Sequence, residues 1–215
     1  MWSTAPLGPG ERAATAKADL LLGPVSIPAV SVQPVRHRFS VDDYYRMAET
    51  GVLNIGDHVE LIDGEILEMS PIGSRHAGCV NRMAAMLSAA VERRAIVSVQ
   101  NPVRLSELSE AQPDVALLRP RDDWYSAGHP GPADTLLVVE VAETSLAFDR
   151  DVKRPLYAAA GLEEMWLVNL LDGCVEVASG PEAGGYRRID TFAAGAAVAP
   201  NAFPDLSIQV DEILP

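Results

Sequence analysis

The segment from Leu136 to Ala142 reads LLVVEVA, an apolar run interrupted only by Glu140. A strand that is apolar on both of its alternating faces must be covered on both sides, which places it at the centre of a layered α/β domain. Glu140 is then the most demanding residue in the chain. An unpaired carboxylate in such a strand costs several kcal/mol or gives up its charge, so a cation, a metal or strong hydrogen-bond donors must stand beside it.

The rest of the chain supplies the layers. Ser40 can cap the run VDDYYRMAET, with Asp43 at the third helical position and Gly51 past the end, which predicts a short helix. HVELIDGEILEM alternates on either side of Asp63-Gly64, a dipeptide suited to a tight hairpin. From Ser74 to Arg94 the apolar residues Val80, Met83, Met86, Leu87, Ala90 and Val91 recur at helical spacing. AIVSVQ, PDVALL, MWLVNL and CVEVAS are further short strands, and a helical segment lies between Asp151 and Ala160. Residues 1–36 carry five prolines and no period, which predicts a flexible tail or arm ahead of a domain spanning 37–215.

Composition removes several function classes. No apolar stretch approaches the roughly 20 residues of a membrane helix, so no membrane role is expected. The net charge of −13 argues against coating nucleic acid by bulk electrostatics, and any DNA contact must be local. The helix around 74–94 is the local exception, with Arg75, Arg82, Arg93 and Arg94 against Glu92. Cys79 and Cys174 form no disulfide framework or metal-site spacing, and no signal peptide is evident, so a cytoplasmic setting is expected.

Two more acids stand near buried strands. Asp114 follows Pro113 at the head of Val115–Leu118, and Glu60 lies inside the alternating strand VELID. Acids converging from neighbouring strands make a hard oxygen site of the kind that holds Mg2+ or Mn2+, although an acid on an alternating strand is ordinarily solvated. Lys153 is conspicuous because 15 of the 17 basic residues are arginine and the other lysine is Lys17. A compact ammonium can hold an attacking water or neutralise charge in a phosphoryl transition state where a guanidinium fork fits poorly. His76 shares a helical stripe with Val80, Met83 and Leu87, as a core histidine would.

The ordered series ELIDGEILEMSP, a helix opening with His76, QPDVALL, VVEVAETS, the spacing Asp149, Lys153, Tyr157, and GLEEMWLV resembles a bacterial family. This is the putative restriction endonuclease family first catalogued as a domain of unknown function, within the PD-(D/E)XK nuclease superfamily. The resemblance runs from about Phe39 to Leu214. It implies an α/β fold: a restriction-endonuclease-like mixed β-sheet flanked by helices, with an N-terminal β-hairpin and additional C-terminal strands. By the resemblance Asp114, Glu140 and Glu60 are metal ligands for Mg2+ or Mn2+, and Lys153 and His76 complete the catalytic set. Tyr44, Tyr157 and Trp166 are read as packing residues. The superfamily lysine stands two residues after the second acid, where this chain has Ala142, so Lys153 must act from the following helix. Pro155 predicts that this helix starts near Asp151 or Val152. Asn169 stands where the family commonly has an acid.

The implied function is metal-dependent hydrolysis of DNA phosphodiester bonds. A non-catalytic nuclease-fold binding module and a small-nucleotide phosphodiesterase are the alternatives. A homodimer would bring two sites to two strands, and the aromatic loop at Trp124 and Tyr125 is a candidate contact.

Overall fold

The computed structural model describes residues 35–54 and 56–215, so the expected tail lies almost wholly outside the described residues. Within them, helix α1 (Val41–Glu49) opens with the anticipated capping box, in which Ser40 and Asp43 each satisfy the other's backbone N–H. Strands β1 (Val59–Ile62) and β2 (Glu65–Glu68) form the hairpin, with Asp63 and Gly64 both at positive φ. Helix α2 spans Ser74–Val91. It ends three residues short of Arg94, because Glu92 turns out of the helix at a positive φ.

Strands β3 (Ile96–Val99), β4 (Val103–Ser106), β5 (Ser109–Ala111) and β6 (Val115–Leu118) follow, then β7 (Thr135–Ala142). The chain crosses to β8 (Glu164–Asn169) through a helical stretch of three parts: α3 (Leu146–Phe148), a π turn (Asp149–Lys153) and α4 (Arg154–Ala159). β9 (Cys174–Glu182), β10 (Gly185–Ala193), β11 (Ala197–Val198), β12 (Ile208–Gln209) and α5 (Val210–Ile213) complete the fold. The helical stretch starts at Leu146 rather than near Asp151, which corrects the sequence reading. Pro155 cannot donate to a carbonyl one turn back. The turn before it widens instead, with the Arg154 N–H reaching the Asp149 carbonyl five residues away.

A six-stranded sheet runs β10-β9-β8-β7-β6-β3, with β7 and β8 parallel and every other pair antiparallel. The hairpin belongs to a separate four-stranded sheet, β2-β1-β5-β4. β4 and β5 went unread in the sequence because they are short and polar, while the sequence is explicit about β7. That strand lies between β6 and β8 with cores on both faces. One core is built on Met83, Leu87, Val139 and Trp166 with α2 and α5, the other on Val138, Tyr157 and Leu167 with α4. Among the described residues no helix is long and apolar enough to cross a membrane.

Gly64 sits at φ +78° with Arg38 packed over it, and a methyl group there would stand 2.5 Å from Arg38 Cβ. Gly64→Ala should therefore lower stability by more than about 1 kcal/mol in urea unfolding, adding a steric clash to the left-handed backbone cost.

Candidate active site

Strand register brings the first two acids together. The antiparallel ladder pairs Val115 with Val139, and carried one residue further it sets Asp114 opposite Glu140. Asp114 Oδ2 accepts the Val141 N–H at 2.9 Å and lies 3.0 Å from His76 Nε2, while Gln100 Nε2 donates to Oδ1 at 3.3 Å. His76 is thus a partner of Asp114 from the first turn of α2, while Val80, Met83 and Leu87 behind it are core. That hydrogen bond raises the histidine pKa above its ordinary value, against the opposing effect of burial.

Lys153 closes the cluster from the π turn. Its Nζ stands 3.2 Å from Glu140 Oε1 and 3.2 Å from Glu60 Oε2. Glu60 is only 2% exposed, so the expectation that an acid on an alternating strand faces solvent does not hold. Lys153 of the π turn covers its carboxylate, and the Gln112 N–H donates to Oε2 at 3.3 Å. Asp149, also buried, accepts the Ser145 hydroxyl at 2.6 Å.

Tyr157 is the packing residue the sequence suggests, with one bond more. It packs in the core, and it also donates its hydroxyl to Glu140 Oε1 at 2.6 Å, so this carboxylate oxygen serves both the lysine and the tyrosine. The spacing Asp149, Lys153, Tyr157 held the signal, since all three line one side of the helical stretch. Asn169, by contrast, closes the β8–β9 turn, its Oδ1 accepting from the backbone of Leu171 and Asp172.

One ammonium thus serves three buried carboxylates, Glu60, Glu140 and Asp149, while the fourth, Asp114, is paired with His76. Burial disfavours the charge on Lys153, yet Glu140, Glu60 and Asp149 hold its pKa above the usual lysine range. Burial pushes the Glu140 carboxyl up to about 8, with Lys153 pulling the other way and the remaining acids adding to the rise. Asp149 is raised by burial too, against its bond from Ser145. The expected three-carboxylate metal group is not drawn together. Among the described residues no set of three or more His, Cys, Asp or Glu side chains is placed to hold an ion. Lys153 stands between Glu60 and Glu140, and Glu60 is committed to it.

The arginines in and beside α2, expected to offer phosphate contacts, are exposed, and three of them also have partners within the chain. Arg75 donates to the Leu170 carbonyl, Arg82 to the Leu214 carbonyl, and Arg94, beyond the helix, pairs with Asp205 and lies over Phe203. In the β6–β7 connection Trp124 is 73% exposed at a positive φ, while Tyr125 bonds the Arg119 carbonyl beneath Arg121.

A carboxyl whose pKa is raised on folding takes up a proton, so the folded state loses stability as pH rises from its unfolded value toward its folded one. For Glu140 that window runs from 4.5 to about 8. The raised His76 pKa acts in the same direction. In chelator, wild-type stability should decline across this window, and Glu140→Gln should flatten the decline. A decline of equal steepness in the variant would place the excess charge elsewhere.

No protein of curated function matches the chain. A solved structure of "a putative nuclease belonging to DUF820" from Anabaena variabilis shares the fold at a TM-score of 0.63 and 15% identity, covering 81% of this chain and 97% of that one. The sequence pattern of the Uma2 family, described as "Putative restriction endonuclease", matches residues 41–211, a span that holds every residue of the cluster. The chain belongs to the Uma2 family of putative restriction endonucleases.

Proposed function

We infer that the protein is a metal-dependent endonuclease that hydrolyses DNA phosphodiester bonds at the Asp114, Glu140 and Lys153 cluster. The observation that carries this reading is the single ammonium bonded to both Glu60 and Glu140 amid an excess of buried carboxylate. Natural proteins keep such buried acids where they serve chemistry. The donor set suits Mg2+ or Mn2+. These hard cations favour oxygen, and Mg2+ commonly takes one or two carboxylates, completing its shell with water and substrate phosphate oxygens. Asp114 and Glu140, opposed across β6 and β7, would hold the ion, with Glu60 held back by Lys153. When bound, such an ion lowers the pKa of a water and polarises the phosphate.

The protein's own groups do the positioning. The Val141 N–H and His76 fix the Asp114 carboxylate, and Tyr157 fixes one oxygen of Glu140. Lys153 supplies a fixed positive charge beside the place where negative charge develops on the phosphate oxygens. Glu60, through its bonds to Lys153 and the Gln112 N–H, keeps that ammonium aimed.

Two substitutions separate chemistry from folding. Glu140→Gln removes one of four carboxylates and leaves Lys153 bonded to Glu60, so it should abolish Mg2+- or Mn2+-dependent cutting of supercoiled plasmid and labelled oligonucleotides while the protein folds normally. Equal cutting by wild type and variant purified alike would sink the reading, and so would no cutting by either on supercoiled, duplex and single-stranded DNA. Lys153→Met strips the acids of their only ammonium and should cost about 3–5 kcal/mol of stability, the range for breaking a buried pair on one side. Part of that loss should return when Mg2+ is added, read as a rise in thermal midpoint.

A further inference from the structure

On the other face of β1 from Lys153 lies a cleft that the chemistry above leaves unused. Consecutive side chains of a strand point to opposite faces, and here Glu60 meets Lys153 while its neighbour Val59 lines the cleft. Gln112 joins the two places, donating its backbone N–H to Glu60 and its side-chain amide to the Val59 carbonyl at 3.1 Å. The cleft walls include Tyr44, Tyr45, Leu53 and Pro102, and two acids, Asp57 and Glu110, also line it. No Lys or Arg stands among the described residues that line it.

The aromatic side chains form a continuous row. Tyr44 and Tyr45 meet edge to face with centroids 5.6 Å apart, and Tyr45 is near-parallel to His129 at 6.2 Å. Their hydroxyls are anchored, Tyr44 to the Val59 carbonyl at 3.0 Å and Tyr45 to the buried Glu110 at 2.5 Å. Tyr45 remains 36% exposed, and His129 is exposed beside it. A lining of rings and carboxylates without a cation repels phosphate. It suits a flat, uncharged ring carrying N–H donors, which is the description of a nucleobase. Bases in a duplex are stacked and paired, so only an unpaired base can enter. The charge of the whole chain points the same way. With a net −13, affinity has little to draw on from bulk neutralisation of phosphates and must come largely from base contacts.

We propose that this cleft binds an unpaired nucleobase of the substrate strand beside the scissile phosphate, so that the protein acts on single-stranded or locally opened DNA. The position beside the scissile phosphate rests on the nuclease reading; the binding of the base does not, and it is measured without cleavage.

The test uses the full chain in chelator and a short fluorescein-labelled DNA strand, alone or annealed to its complement, with affinity read by fluorescence anisotropy over a range of salt. The single strand should bind at least about tenfold tighter than the duplex, with a salt slope corresponding to only about one or two phosphates. Tyr45→Ala should weaken single-strand binding by about tenfold or more, the effect of one lost base stack. Tyr45→Phe, which keeps the ring and loses only the bond to Glu110, should stay within about threefold of wild type. Circular dichroism establishes that both variants are folded. Equal affinity for duplex and single strand, wild-type affinity in a folded Tyr45→Ala, a loss in Tyr45→Phe matching that in Tyr45→Ala, or no binding of either DNA would each overturn the proposal. A chain that binds in the expected way yet cuts no DNA keeps the base site and loses the nuclease reading.

Discussion

The ammonium of Lys153, held 3.2 Å from each of two glutamates that come from different sheets, ties the two halves of the architecture to one point. Glu60 belongs to the four-stranded sheet and Glu140 to the centre of the six-stranded one. Neither carboxylate reaches water to any extent, so each depends on the lysine for a counter-charge. The lysine cannot neutralise all the acids around it. What remains is a buried excess of carboxyl groups, relieved near neutral pH by proton uptake at Glu140, whose pKa burial pushes up to about 8, a pattern typical of sites selected for chemistry.

The helical stretch after β7 exists to deliver that lysine. In a regular helix the proline at 155 would break the hydrogen-bond ladder, and the π turn over Asp149–Lys153 absorbs the mismatch. The widened turn places Asp149 and Lys153 toward Glu140, and Tyr157 follows one turn later to bind the same carboxylate. Two residues beyond Glu140 on the strand stands Ala142, which is buried in the core with Val138 and Leu167. The positive charge that reaches Glu140 comes from the helical stretch and not from the strand itself.

The sequence is legible where local chemistry decides the structure. The Ser40 cap, the Asp63-Gly64 turn and the apolar β7 each follow from short-range rules, and the burial of Glu140 follows from β7. It is less legible where tertiary packing decides. Glu60 looks solvated on its alternating strand because nothing local reveals that Lys153, some ninety residues away in the chain, comes back over it from the π turn. β4 and β5 are too short and polar to register as strands. The arginines near α2 look like a phosphate track because their carbonyl and carboxylate partners lie some 95 to 132 residues away in the chain. Tyr157 looks like a core residue, and it is one, but its hydroxyl bond to Glu140 depends on a π turn that only the conflict at Pro155 hints at.

The account stands on the claim that the paired Asp114 and Glu140 carboxyl groups are a place for a divalent cation. Crystals grown with Mn2+ and measured at its absorption edge test this directly. An anomalous peak within bonding distance of both carboxylates, with Lys153 still on Glu60, is the predicted result. A peak bound elsewhere, or none at saturating Mn2+ with the four carboxylates unchanged, would contradict it.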